Sequence, residues 1–396
     1  MLYLLFWLIV LPFMVFSNLW KDVWVLYIVI KVVMPMMFTA FGVVYFVSRL
    51  QKGYMIYPLL IVMIFVVFFN GYINNSINES IYSYGRFLWY SAIPGMTYFF
   101  SKNKKLYLFG EDIYKYNKIY YKIVLMVILA VFIIFVVEKY ARTASASGLE
   151  LWVYQDSKNQ IRFPDMHKMM FLLGISLICI KKKYSNAYGL VIIAVAIIIG
   201  YYVDSKSLLI TLIVFSLVYL LAYKLKGSNR LYYLIICYGM AELLIALSPI
   251  LFVVNGWYGN SWYVRGMSIE YVYNIFKNSG ISQLIYGFGM YSKEYALQSG
   301  YIEDRFFWTS DIKFIGAIYE MGLLFYLAYV ALVMYYLVKI LRFFSPDFNN
   351  GYMGLKLRFG LTLSVLVMTA AIINPRYANS VEICIIMSNI NLLKNI

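Results

Sequence analysis

A polar stretch from Asn255 to Asp311 interrupts an otherwise apolar chain, and with the run after it carries residues suited to one kind of chemistry. In order these are Arg265, the tight Gly287-Phe288-Gly289 turn, Arg305, Asp311 and Glu320-Met321-Gly322. Arginine grips phosphate oxygens in a bidentate fork, and lysine binds them as a point charge. Fixed cations stabilise a leaving group as negative charge builds on its oxygens. A carboxylate at a water–lipid boundary accepts the proton of an attacking hydroxyl, and Asp311 is the best-placed acid for that step. Arg265, Lys206 and Arg162 are the candidate cations.

Each residue also has a plainer use. Arg265 suits anchoring at lipid headgroups or pairing with Glu270, Lys206 suits the end of a span, and Asp311 suits capping the helix that follows it. Glu320 and Glu242 are acids inside apolar runs, where function and pairing with a buried cation are both open readings. Arg142, Arg305 and Arg376 fit solvated charges. His167 is the only histidine, so no second one exists to share a metal. The Gly-x-Gly turn shapes the loop and is a weak phosphate signal alone.

The elements that must position these residues follow from composition. Hydrophobic residues make up 63% of the chain and charged residues 13%, and apolar runs of about 20 residues recur from end to end. Runs such as Ile123 to Val137 do not alternate, which argues against a β-barrel. A soluble fold is excluded on the same composition. The class is all-α: a polytopic integral membrane protein of about 12 transmembrane helices. The spans are expected at 2–17, 23–47, 54–73, 86–100, 120–137, 167–180, 187–203, 206–223, 231–254, 313–338, 356–373 and 378–393. The first span lacks the basic start and cleavage site of a signal peptide and reads as retained. Residues 1–396 form a single transmembrane domain, with a large loop at 255–312 and a smaller one at 138–167.

Lysine and arginine collect on one side. They crowd the Ser101 to Lys122 loop, Lys181-Lys182-Lys183, the Lys224 to Arg230 segment and the Lys339 to Arg358 segment, against few acids. The positive-inside rule makes that side cytoplasmic, with both termini, and puts the 255–312 loop outside. The net charge of +16 therefore records topology, and no nucleic-acid partner is needed to explain it. Cys179, Cys237 and Cys384 all fall in spans, so no disulfide framework or thiolate metal site is indicated.

Within the outer loop the resemblance to a family becomes specific. Arg265 opens an amphipathic stretch, Met267 to Lys277, with Ile269, Val272, Tyr273 and Phe276 at helical spacing; Ile285-Tyr286-Gly287-Phe288-Gly289 follows. This order resembles the large periplasmic loop of the O-antigen ligase and polymerase superfamily, membrane glycosyltransferases of the GT-C type. Asp311, Glu320 and Gly322 match that family's His or Asp at a helix start and the Glu-x-Gly after it. Ser205-Lys206 is similar to its Ser-Arg turn between two spans, and Arg162-Phe163-Pro164-Asp165 looks more loosely like its Pro-Asn segment. The Arg and Gly pattern of the polymerases is met at Arg305 and Gly316, while Arg162 misses it by one residue at Gly174.

An Asp at the helix start, where the ligases carry His, is similar to the Wzy-type O-antigen polymerases. The resemblance implies a GT-C-like enzyme of the bacterial inner membrane with its site facing the periplasm. It implies transfer of a growing glycan from undecaprenyl diphosphate to the non-reducing end of a new lipid-linked repeat unit, without metal or other cofactor and with inversion. Asp311, Arg265 and Glu320 would be catalytic. Lys206, Arg162, Arg305, Arg142, Gly287, Gly289 and Arg376 would bind diphosphate or glycan. The implied partners are the lipid-linked donor and acceptor, membrane lipids and a chain-length-regulating co-polymerase. Alternative readings are an O-antigen ligase or a lipid-linked oligosaccharide flippase. No convincing internal repeat exists and the charge concentrates in one outer loop, which favours an enzyme over a transporter.

Overall fold

The computed structural model describes residues 33–49, 65, 69, 89–102, 126, 133, 154–155, 161–162, 183–202, 228–255, 261–288, 312–343, 365, 368–369, 371–373, 375, 384, 387–388 and 390–391. Among these the chain is helical apart from a two-residue antiparallel pairing of β1 (Tyr154–Gln155) with β2 (Ile161–Arg162). The helices are α1 (Met34–Arg49), α2 (Ile93–Lys102), α3 (Lys183–Tyr202), α4 (Ser228–Val254), α5 (Ser261–Asn278), α6 (Ile281–Tyr286) and α7 (Lys313–Phe343). The chain divides into two compact units. One comprises 1–28, 102–234 and 343–366, with β1, β2, α3 and the first seven residues of α4; the other comprises 29–101, 235–342 and 367–396, with α1, α2, the rest of α4, α5, α6 and α7.

Two helices among the described residues are long and apolar enough to cross a membrane, Ile235–Val254 within α4 and Lys313–Leu341 within α7. They coincide with the expected spans 231–254 and 313–338, and α3 coincides with 187–203. Most of the other expected spans, most of the 138–167 loop and residues 289–311 of the long loop lie outside the described residues.

α4 keeps its helical course through Pro249, which has no N–H to give the carbonyl of Ile245 four residues back. The Ser248 hydroxyl donates to that carbonyl at 3.0 Å and restores its partner. One stripe of α4, with Met240, Leu244, Leu247 and Leu251, is exposed and suits a lipid face. The opposite stripe, Tyr238, Ala241, Ile245 and Ala246, is buried.

α7 departs from the uninterrupted span that hydropathy predicts. Its backbone breaks at Gly322, with φ 79° and ψ 161°, into a short segment beginning at Lys313 and a longer one ending at Phe343. The longer piece measures roughly 30 Å at 1.5 Å per residue, about the thickness of a bilayer's hydrocarbon core. It packs through Phe325, Tyr329, Leu332, Val333, Tyr336, Leu337 and Ile340, all buried. The Tyr329 ring meets Tyr90 edge-on at 5.4 Å, and its hydroxyl donates to the Ala371 carbonyl at 3.1 Å. Tyr326 reaches the Ile372 carbonyl in the same way at 2.8 Å.

Charge counting places Lys339 in a cytoplasmic loop, but the helix continues past it. Its ammonium donates to Asn391 Oδ1 at 2.9 Å, and Asn391 Nδ2 in turn reaches the Tyr336 hydroxyl at 2.9 Å and Thr97 Oγ1 at 3.2 Å. Lys339 is thus a helix-packing group.

α1 and α2 cross almost backbone to backbone. A Cβ on Gly95 would overlap the Phe38 carbonyl oxygen, and one on Gly42 would come 2.9 Å from the Gly95 nitrogen. Small residues allow this approach between apolar helices, where van der Waals contact is the main attraction. Thr39 and Ser91 hydrogen-bond across the same crossing at 2.7 Å. Gly95→Val should therefore lower the thermal midpoint of the detergent-solubilised protein, by an overpacking cost of about 1–3 kcal/mol. Gly239→Ala, whose new Cβ would meet only a Thr369 methyl at 3.5 Å, should leave it unchanged.

Candidate functional site

Arg265 lies in the second turn of α5. The helix buries Trp262, Gly266, Ser268, Ile269 and Val272, close to the helical spacing expected of this stretch. Tyr273 departs from the expected apolar face: it is 65% exposed, because the packed stripe drifts past it toward Phe276. Gly266 explains how α5 seats on α4. A Cβ there would overlap the Pro249 carbonyl oxygen and a Val253 methyl, so the helices touch along their backbones beside the proline. Trp262 stacks on Phe252 of α4 with ring centroids 5.6 Å apart and planes 24° from parallel. The Arg265 guanidinium carbon sits 5.9 Å from the Trp262 ring centroid, a cation–π contact of about 0.5–1 kcal/mol. The half-buried arginine is thereby held against a ring that is itself fixed to α4.

The two glycine motifs, which sequence reads as separate marks, form one lock. Gly287 ends α6 with φ 75° and ψ −177°, and its N–H donates to the Gln283 carbonyl at 2.7 Å. Gly322 has φ 79° and ψ 161°. Both sit in a region of backbone space that is essentially reserved for glycine. Each also lies where the other leaves no room: a Cβ on Gly287 would overlap Gly322 N and the Glu320 carbonyl, and one on Gly322 would overlap the Ile285 carbonyl and Gly287 N. Phe288 N–H donates to the Tyr319 carbonyl across the break at 2.8 Å. A backbone break in an apolar helix is tolerable where protein covers it, and here the turn after α6 does so.

Side chains extend the lock to α5. Phe288 stacks on Tyr319 at 4.9 Å, and Phe276 of α5 tilts against both, at 5.7 and 6.1 Å. Ile269, Val272, Ile312 and Tyr319 form the buried cluster beneath them. Arg265 precedes Ile269 by one helical turn, so the helix that carries the candidate cation is packed into the cluster that carries the candidate acid motif.

Glu320 sits at the lock with no exposed surface, and its Oε2 is fully enclosed. Hydropathy places it two turns inside a continuous span; the break at Gly322 instead puts it at the end of the short segment.

Sequence reasoning missed Lys313, the first residue of α7. Its ammonium donates to Glu242 Oε2 of α4 at 2.8 Å and to the Glu242 carbonyl at 3.3 Å. This answers the question sequence leaves open for Glu242, which pairs with a cation. An acid inside one apolar run and a lysine at the start of another were the available signal. Lys313 also takes a positive φ of 51°, which costs a residue with a Cβ roughly 1–2 kcal/mol.

Arg265, Gly287 and Glu320 thus belong to one packed body. Asp311, Arg305, Arg142, Lys206, Gly289 and Arg376 lie outside the described residues, and Arg162 of β2 is described only through its backbone pairing with Tyr154 of β1. Arg162 belongs to the first compact unit and the lock to the second. No family model matches the chain, and no curated protein or solved structure does so either.

Because Gly287 and Gly322 clash through the same contact, their substitutions should couple. Gly287→Ala and Gly322→Ala should each lower the unfolding midpoint, through about 1–3 kcal/mol of backbone strain plus the overlap. The double variant should lose less than the sum of the two, with a coupling of about 0.5–3 kcal/mol in a double-mutant cycle. Strict additivity would mean that the two glycines do not share one contact.

Proposed function

We propose that this protein is a glycosyltransferase of the bacterial inner membrane, an O-antigen polymerase of the Wzy type. The observation that carries the proposal is the convergence of three separated motifs. The helix that bears Arg265, the turn at Gly287 and the segment that bears Glu320-Met321-Gly322 are packed together through one cluster, which also holds Ile312, the residue directly after Asp311. A loop that only tethered two spans would not require glycine-only backbone at both ends of a long-range contact.

In the proposed reaction a hydroxyl of the new lipid-linked repeat unit attacks the anomeric carbon of the growing glycan. The bond from that carbon to the lipid diphosphate breaks, and the diphosphate leaves with the electron pair. Asp311 takes the hydroxyl proton. Arg265, held at Trp262, stabilises the departing diphosphate, with Arg305 and Arg376 as further candidates, while Lys206, Arg162 and Arg142 remain expectations of the resemblance. Gly287 shapes the turn, and Glu320 beside it is the further catalytic candidate. The length of the α7 segment beyond Gly322 supports this arrangement. If that segment spans the hydrocarbon core, the lock and Glu320 lie at its outer edge, where a lipid diphosphate and a water-borne glycan meet. A co-polymerase in the same membrane would set chain length.

The lipopolysaccharide ladder of a deletion strain tests the reading. Complementation with the wild-type gene should restore the ladder, and Arg265→Ala or Asp311→Ala should leave a single band of core plus one repeat unit. Complete loss of O antigen in the deletion strain would point to a ligase or flippase, and an unchanged ladder in both variants would remove these two residues from the site.

A further inference from the structure

The entry of α7 is pinned from two directions at successive residues. Ile312 is buried in the cluster with Ile269, Val272 and Tyr319, which ties it to α5 and to the body of α7. Lys313, the next residue, turns through the left-handed region and sends its side chain to α4, where it meets both the carboxylate and the backbone carbonyl of Glu242. A non-glycine residue stays in that conformation when its surroundings over-determine it, and such residues concentrate where position matters. The pair is mostly enclosed, with side-chain exposures of 15% for Lys313 and 18% for Glu242.

α4 therefore fixes two things. At Pro249 it seats Gly266, the neighbour of Arg265, and about 10 Å back along its axis Glu242 holds Lys313. One helix thus sets the helix bearing the candidate cation and the chain entry that directly follows the candidate acid, Asp311.

We propose that Glu242 and Lys313 are a positioning pair that fixes the α7 entry against α4, the same helix that seats the helix bearing Arg265. The fixing of the α7 entry is independent of the reaction; its effect on catalysis rests on the polymerase reading above.

The test uses the full chain in lipid nanodiscs, as wild type, Glu242→Gln, Lys313→Met, Lys313→Arg and the charge-swapped Glu242→Lys with Lys313→Glu. Two quantities are read: amide hydrogen exchange over 312–318, and the rate of polymer extension from lipid-linked repeat units. Glu242→Gln and Lys313→Met should raise exchange over 312–318 at least ten-fold, with exchange over the distant part of α7, 330–340, unchanged. They should also lower kcat at least ten-fold with little change in KM for the donor. Lys313→Arg and the swapped pair should recover most of both. A purely structural role would loosen the whole helix and would not separate 312–318 from 330–340.

Local exchange that rises and is rescued, in a protein whose wild type makes no polymer, upholds the pair and removes the polymerase reading. Exchange within two-fold of wild type in folded Glu242→Gln overturns the pair whatever the activity shows. If the single variants do not accumulate, recovery of folded protein by the swapped pair or by Lys313→Arg supports it, and failure of both to recover overturns it.

Discussion

The contact of Gly287 with Gly322 is the constraint on which the rest of the described site depends. Two backbone segments, one ending a short helix and one inside a long apolar helix, approach so closely that neither tolerates a Cβ. Each takes a conformation that only glycine adopts without strain. The approach breaks α7, and the break decides where Glu320 sits, which carbonyl Phe288 meets and how Tyr319 stacks. Without it, α7 would continue as one apolar rod and the polar loop would have no fixed seat upon it.

The remaining contacts transmit that constraint outward. Phe276, Phe288 and Tyr319 join the lock to α5, and Gly266 with Trp262 joins α5 to α4. Glu242 and Lys313 close the circuit by joining α4 to the start of α7. In an apolar medium helices gain little from hydrophobic attraction to one another, so close backbone approach and polar contacts must hold them. The second unit uses both: Gly95 at the α1 and α2 crossing, Gly266 of α5 against α4, and the hydroxyl and amide contacts of Tyr326, Tyr329 and Asn391.

Sequence carried much of this where the signal is local. The bounds of α4 follow its apolar run, and α5 follows the spacing of Ile269, Val272 and Phe276. Gly287 and Gly322 were visible as motif residues, but not as partners, because a contact between segments 35 positions apart leaves no trace in either segment's periodicity. The break in α7 was hidden for a related reason: hydropathy averages over a window, and one glycine in an apolar run does not lower it. Tyr273 was read as apolar face because its spacing allowed it, whereas packing chose Phe276. Lys339 enters the sequence reading only as a topology signal and Lys313 not at all, since a charge count does not reveal a partner on another helix.

The most direct measurement is reconstitution of the purified chain in proteoliposomes with one lipid-linked repeat unit as the only substrate. A polymerase acting through this site should yield a ladder of lipid-linked oligomers in the absence of lipid A core, and Arg265→Ala should abolish it. Transfer that requires lipid A core, or a ladder unaffected by Arg265→Ala, would contradict the assignment.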